Sequence, residues 1–237
     1  MDYFATSFKG KVGIVSGAGM GQGKAVIKLL LENGAKVIAY SRSGNKPDVK
    51  HENLKTMRGD SSDLRSLTEI KDSVATEYGV INFIYNNHGL FSPHNQSFHG
   101  ETAVEFFKKN VASSINAIET FLPLMNEGGS VVNVGASPAI FHLSSLEYAV
   151  SKSAVEEMTR KMASILRQKN IRVNALMPGS VDSSREVEEI QPFGFKPLQG
   201  KKDVSTLEIA YTALFLLSDL SYGINGQSII VDGGLGT

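Results

Sequence analysis

Short apolar, β-branched runs alternate along the chain with longer stretches whose apolar residues recur every three or four positions. The runs at 11–16, 36–40, 54–58, 80–85, 130–134, 171–176 and 227–231 predict strands. Between the first two, Val26, Leu29 and Leu30 predict a helix over 23–32, which Asn33-Gly34 ends. Asp63 is placed to cap a helix reaching Tyr78, with Leu64, Leu67, Ile70 and Val74 on its buried face. Residues 101–125 read as a helix interrupted near Pro123, and 147–168 and 205–218 as two more. Polar and proline-bearing segments at 42–53, 87–100 and 178–203 predict loops, the last forming a lid at about 180–203.

Strands that alternate with helices imply an α/β fold. The expectation is a single-domain, Rossmann-like, doubly wound parallel sheet with helices on both faces. No linker divides the chain, so residues 1–237 read as one domain. In such a sheet a ligand binds beyond the carboxyl ends of the strands.

Composition removes several classes of function. The 24 acidic and 24 basic residues balance, so no net field favours nucleic acid or a membrane surface. No uncharged apolar run approaches the ~20 residues of a membrane span. Residues 1–9 contain Asp2 and no long apolar core, unlike a secretory signal. The expectation is a cytoplasmic protein with neither nucleic-acid nor membrane partners. The absence of cysteine excludes disulfides and thiolate metal sites.

The first candidate chemistry follows the first strand. Ser16-Gly17-Ala18-Gly19-Met20-Gly21-Gln22-Gly23 opens a helix. Glycines permit a tight turn and close backbone approach, and a helix N-terminus offers free N–H groups to a pyrophosphate. The Lys-Ser/Thr ending of a P-loop is missing, although Lys24 follows Gly23. The second strand ends in Tyr40-Ser41-Arg42-Ser43, with no acid to bind ribose hydroxyls. Arg42, helped by Ser41 and Ser43, is suited to a 2′-phosphate, which favours NADP(H) over NAD(H).

The second lies in the helix predicted over 147–168. Tyr148 and Lys152 are four residues apart and share one helical face. A phenol near pKa ~10 is a weak acid or base at neutral pH, and a neighbouring ammonium favours its phenolate. Beside this stands a structural reading, an interfacial Tyr and a solvated Lys.

Taken together, these segments resemble the short-chain dehydrogenase/reductase family over about residues 8–235. Ser16–Gly23, with Gly17, Gly21 and Gly23, is similar to the family's TGxxxGxG with Ser for Thr. Asp60 matches its adenine-contacting acid, and Asn86-Asn87-His88-Gly89 its NNAG with His for Ala. Asn110 matches the helix Asn, Tyr148 and Lys152 match YxxxK, and Pro178-Gly179 matches PG. Ser183 sits where a Thr often meets the carboxamide, and Asp232-Gly233-Gly234 matches the ending. The resemblance implies that hydride passes between a nicotinamide cofactor and an alcohol or carbonyl carbon. It implies that Tyr148 exchanges the proton, Lys152 lowers its pKa and holds the ribose, and Asn110 holds a relay water. It also implies a homotetramer or homodimer, built on the helices at 101–125 and 147–168 and on the chain end.

This chain departs from the pattern at the family's substrate-orienting Ser. In Asn133-Val134-Gly135-Ala136-Ser137-Pro138, direct register puts Ala136 at that position and Ser137 one residue later. Either Ser137 serves after a local shift, or Ser144 or Ser145 reaches in, or the site has no Ser. The first reading makes Ser137 catalytic, so that Ser137→Ala slows turnover sharply. The last favours a sensor or scaffold that binds NADP(H) with little turnover. His88 is expected close to the cofactor, as a packing residue or a contact. His88, His94 and His99 share a loop region without carboxylates at ligand spacing, so no metal site is expected. Gln22 replaces the family's usual Ile. Phe193 and Phe195 are either lid aromatics or a small satellite core; with Phe141, Leu143 and Met177 they point to a partly apolar alcohol or carbonyl substrate. His142 either lines the substrate mouth or is an exposed loop residue.

Overall fold

The computed structural model describes residues 3–19, 21–44, 47–95, 97–182 and 203–236. Seven strands form one sheet: β1 (Val12–Ser16), β2 (Lys36–Ser41), β3 (Leu54–Arg58), β4 (Ile81–Asn86), β5 (Met125–Val134), β6 (Arg172–Pro178) and, last in the chain, β9 (Ser228–Val231). Their order is β3-β2-β1-β4-β5-β6-β9, and every pairing is parallel. Strand order reverses between β1 and β4, so the loops after these two strands diverge and leave a crevice. Two short strands, β7 (Val181–Asp182) and β8 (Val204–Ser205), pair with each other at the ends of the segment expected to form the lid.

The helices are α1 (Tyr3–Phe8), α2 (Gly21–Glu32), α3 (Leu64–Tyr78), α4 (Gly100–Phe107), α5 (Ser113–Phe121), α6 (Leu146–Leu166) and α7 (Thr206–Leu217). Side chains alternate across the strands, which builds two cores. Val15, Val37, Phe83 and Val132 pack under α2 and α7. Ile14, Ile38, Ile84 and Val131 pack under α3, α5 and α6. Gly13 leaves room for the Phe83 ring, which lies 1.8 Å from where a Cβ would stand. Phe8 of α1 closes over that ring edge-on, at 5.7 Å between centroids. The α3 cap is Asp63, whose carboxylate accepts from the Arg65 N–H as the sequence suggests.

The expected helix over 101–125 differs most. It divides into α4, a π turn at Lys108–Ala112, α5 and a 3₁₀ turn at Leu122–Leu124. Pro123 has no N–H to continue the ladder, and Met125 starts β5 directly. The strand thus begins earlier than its apolar run at 130–134. Its first half is Asn126, Glu127, Gly128 and Gly129, and the register against β4 shifts between Ile81 and Phe83. Helix α1 and the 3₁₀ turn Pro138–Leu143 are elements the hydrophobic pattern does not announce.

Candidate active site

The crevice begins at the glycine turn. Gly17 has φ +65°, and a Cβ there would meet the Asn87 carbonyl at 2.9 Å. A Cβ on Gly23 would lie 2.5 Å from the Gly17 carbonyl oxygen. Only glycine therefore allows β1, α2 and the loop after β4 to converge. Asn87 ties the turn, donating from its backbone N to Ser16 Oγ at 3.1 Å and from Nδ2 to the Gly17 carbonyl at 2.9 Å. Its Oδ1 is buried and has no partner among the described residues. The same holds for Oε1 of Gln22, in the first turn of α2.

One arm of the crevice is a cleft of about 320 Å³ lined by Gly17, Ser41, Arg42, Ser43, Asp60 and Lys109, among others. Asp60 Oδ1 accepts from the N–H of Ser62 at 2.8 Å and from its hydroxyl at 2.6 Å. Asp60 Oδ2 accepts from Lys109 Nζ at 3.0 Å. Partial burial raises the carboxyl pKa, but the bonds from Ser62 and Lys109 outweigh it and hold the group at about 2.

His88 lines the same cleft, and its ring nitrogens are held by serines. Its Nε2 lies 2.6 Å from Ser113 Oγ and its Nδ1 2.6 Å from Ser16 Oγ, with Ser61 Oγ at 3.2 Å. Ser113 gives its own proton to the Lys109 carbonyl at 2.8 Å, so it accepts from His88. The network thus assigns the proton to Nε2 and leaves Nδ1 as acceptor from Ser16. Burial, helped by the charge of Lys152, lowers the imidazole pKa to about 3, so the ring is neutral. The structure gives His88 both places: its ring joins the glycine turn to α5, and the residue lines the Arg42 cleft.

The other arm is a cleft of about 340 Å³ that holds Tyr148 and Lys152. Both side chains are buried, and the Phe91 ring stands edge-on to Tyr148 at 5.1 Å between centroids. Ser145 caps α6 by accepting from the Tyr148 N–H, which fixes the first turn carrying the phenol. Lys152 Nζ donates to the Val134 carbonyl at 2.8 Å. Burial pushes the Tyr148 phenol up to about 12 and the Lys152 ammonium down to about 8. This corrects the expectation that the ammonium lowers the phenol: here desolvation disfavours the charged form of both.

Asn110 lies in the π turn, and its amide clamps Leu90. Its Oδ1 accepts from the Leu90 N–H at 2.6 Å, and its Nδ2 donates to the Leu90 carbonyl at 3.1 Å and to Ser151 Oγ at 2.8 Å. Pro178 and Gly179 line the Tyr148 cleft at the end of β6. Ser183, Phe193 and Phe195 lie outside the described residues.

The serine question has a geometric outcome. Ala136 lines the cleft with Tyr148. Ser137 is fully buried and donates to Asp232 Oδ2 at 2.7 Å, and its N–H donates to the Pro178 carbonyl. Ser144 donates to the Phe141 carbonyl, and Ser145 is the α6 cap. The structure therefore does not bring Ser137 to Tyr148 as expected; an extended backbone at Ser137, just before Pro138, turns its side chain toward Asp232. Phe141 does not line the cleft, whereas Leu143 does. Lys109, Phe91 and Ser180 line the two clefts and were not singled out by sequence reasoning. Lys109 precedes Asn110, and that adjacency was the available signal.

A turn only glycine permits, a helix N-terminus, orphaned amide oxygens on Asn87 and Gln22, and a Tyr–Lys pair together define a dinucleotide-binding oxidoreductase fold. The family model described as enoyl-(acyl carrier protein) reductase matches residues 13–236. The chain belongs to the short-chain dehydrogenase/reductase family, an oxidoreductase family that uses nicotinamide cofactors. It is 31% identical to the 3alpha-hydroxysteroid dehydrogenase of Mediterraneibacter gnavus, covering 95% of this chain and 96% of the relative. It is 29% identical to the 3-oxoacyl-[acyl-carrier-protein] reductase of Thermotoga maritima, covering 96% and 98%. The ligand-free aldohexose dehydrogenase of Thermoplasma acidophilum superposes with a TM-score of 0.82, at 26% identity, over 96% of this chain and 94% of that one.

Proposed function

We propose that this chain is an NADP(H)-dependent oxidoreductase that interconverts an alcohol and a carbonyl on an apolar, ring-bearing substrate. The carrying observation is that the Tyr148 cleft and the Arg42 cleft share Asn87, Gly89 and Leu90 in their walls. One extended ligand can therefore run from Arg42 to Lys152. Ser16, Gly17, Gly21 and Gly23 would seat the pyrophosphate, with Asn87 alongside. Asp60 would receive adenine, and Ser41 and Arg42 a 2′-phosphate. Pro178, Gly179 and Ser183 would flank the nicotinamide. When bound, the nicotinamide supplies or accepts the hydride.

The chain's own side chains handle the proton. Tyr148 Oη would give it to the forming alkoxide or take it from the alcohol. Burial holds the phenol up at about 12, so at neutral pH it stands protonated and able to donate. Lys152 lies one helical turn away and would stabilise the phenolate as it forms. Asn110 holds the Leu90 backbone that walls both clefts. Apolar Leu90, Phe91, Ala136, Ile140 and Leu143 line the mouth. This suits a hydrocarbon ring better than a sugar and agrees with relatives named for steroid alcohols.

A second reading is an NADP(H)-binding sensor with little turnover. It is favoured by the committed hydroxyls of Ser137, Ser144 and Ser145, which leave Ala136 facing the phenol. The test is to follow reduced-cofactor absorbance with alicyclic ketones and hydroxysteroids, and to measure NADPH and NADH binding by calorimetry. Turnover that Tyr148→Phe abolishes while NADPH still binds supports the enzyme. Tight NADPH binding without turnover on any substrate supports the sensor. A preference for NADH sinks the NADP assignment.

We also infer a homodimer or homotetramer in the cytoplasm. Val104 and Phe107 of α4, Ile115 of α5, and Leu146, Val150 and Ile165 of α6 are exposed apolar residues on the helices expected to carry an interface.

A further inference from the structure

Resting on the alcohol–carbonyl reading above, we propose that the Ser180 hydroxyl is the second hydrogen-bond donor to the substrate oxygen, acting from the exit of β6 where Ala136, at the exit of β5, has no hydroxyl to offer. Tyr148 Oη and Ser180 Oγ would hold that oxygen between them.

The need for a second donor follows from the reaction. A carbonyl oxygen carries two lone pairs and gains negative charge as hydride arrives. Tyr148 answers one lone pair, and the apolar walls at Leu90, Phe91, Ile140 and Leu143 offer nothing to the other. Among the described residues, five polar side chains line this cleft: Gln22, Asn87, Tyr148, Lys152 and Ser180. Asn87 Nδ2 donates to the Gly17 carbonyl, and Lys152 Nζ donates to the Val134 carbonyl and serves the phenolate. Gln22 belongs to the first turn of α2, which would seat the cofactor. Ser137, Ser144 and Ser145 have their hydroxyls engaged elsewhere. The Ser180 hydroxyl has no partner among the described residues.

Backbone bonds bring the two strand exits together. The Ser137 N–H donates to the Pro178 carbonyl at 2.7 Å, and Ala136, beside Ser137, packs with Tyr148. Two residues of chain span at most about 7 Å, so Ser180 stands within that reach of Pro178. Ser180 is pinned on both sides. The Gly179 N–H donates to the Val231 carbonyl at 2.9 Å, and the Ser180 carbonyl accepts from the Val204 N–H at 2.8 Å. Val181 packs against the core under α2 and α7, and neighbouring residues of an extended chain face opposite sides, which directs Ser180 away from that core. A donor on so fixed a backbone needs no reorganisation as charge develops on the oxygen.

The test measures steady-state kinetics on alicyclic ketones and hydroxysteroids, with NADPH affinity measured beside it by calorimetry. Ser180→Ala is expected to lower kcat on the order of 10²-fold while KM and NADPH affinity stay within about twofold, because the donor is worth most to the charged oxygen. Adding Ala136→Ser to that variant should recover at least ~10-fold, since it returns a hydroxyl to the same oxygen from the other strand exit. An unchanged kcat in Ser180→Ala overturns the proposal. So does a loss matched in NADPH affinity, which would make Ser180 a cofactor contact. A loss that Ala136→Ser leaves in place also overturns it, and would make Ser180 a structural residue. A wild-type protein that binds NADPH and turns over none of these compounds defeats the alcohol–carbonyl reading itself, and this proposal with it.

Discussion

His88 shows how a single residue changes the balance of a site. The family pattern puts Ala there, and the larger ring is accommodated because Ser16, Ser61 and Ser113 saturate its nitrogens. A part-buried histidine held neutral makes stability depend on pH. Its folded pKa of about 3 lies below the unfolded value near 6.5, so between those values the unfolded chain binds more protons. Its stabilising contribution is therefore complete above about pH 6.5 and is lost as pH falls toward 3. At pH 4.5 the loss amounts to about 2–3 kcal/mol. Urea unfolding at pH 7.5 and 4.5 should show a steeper decline for the wild-type protein than for His88→Gln; parallel declines would remove His88 as the cause.

The Tyr148–Lys152 pair belongs to the same scale. Tyr148→Phe should reduce turnover by at least ~10²-fold with NADPH affinity nearly unchanged. Lys152→Ala should damage both turnover and affinity, because the ammonium lies where the two arms meet. Turnover retained in Tyr148→Phe would remove the phenol from the proton step. Ser137→Ala, expected to slow turnover sharply if Ser137 served after a local shift, should instead act on stability, since Ser137 secures Asp232 rather than the cleft.

At the scale of elements, the segment from α4 to α5 is decisive. Its π turn places Asn110 so that one amide holds both polar groups of the Leu90 backbone. Removing it leaves a backbone N–H and carbonyl without partners in a part-buried loop, a cost of about 2–3 kcal/mol. Asn110→Ala is therefore expected to speed amide exchange at Leu90 and its neighbours and to lower the melting temperature. Unaltered exchange there would show that the loop is held by other means. This arrangement was only half legible. The apolar repeat through 101–121 announces a helix, but one extra residue per turn leaves no mark on a three-to-four periodicity. The same limit hid the first half of β5. Asn126, Glu127 and the two glycines carry no strand pattern and fall in the register shift between the Ile81–Met125 and Phe83–Ser130 pairs.

For the whole molecule, the parallel order β3-β2-β1-β4-β5-β6-β9 makes one crevice out of residues far apart in sequence. Exposed Val104, Phe107, Leu146 and Val150 give this body an apolar flank. Sedimentation should find a dimer or tetramer, and Val150→Glu should shift it toward monomer by burying an unpaired charge. A wild-type monomer would refute the interface. Relatives named for steroids, acyl carriers and sugars share this frame, so the frame does not select the substrate.

The sequence by itself determined the strand–helix alternation, the glycine turn and the Tyr148–Lys152 spacing, because each depends on local periodicity or on a residue's own backbone freedom. It also marked Ala136 as the departure from pattern. Only the tertiary structure decided where Ser137 points, that serines hold the His88 ring, and that Lys109 meets Asp60. Those are contacts between distant segments. They are set by strand order, by the turn preceding Pro138 and by the π turn, none of which local spacing encodes. It also decided the shift at Tyr148, where burial, a property of the packed fold, raises the phenol.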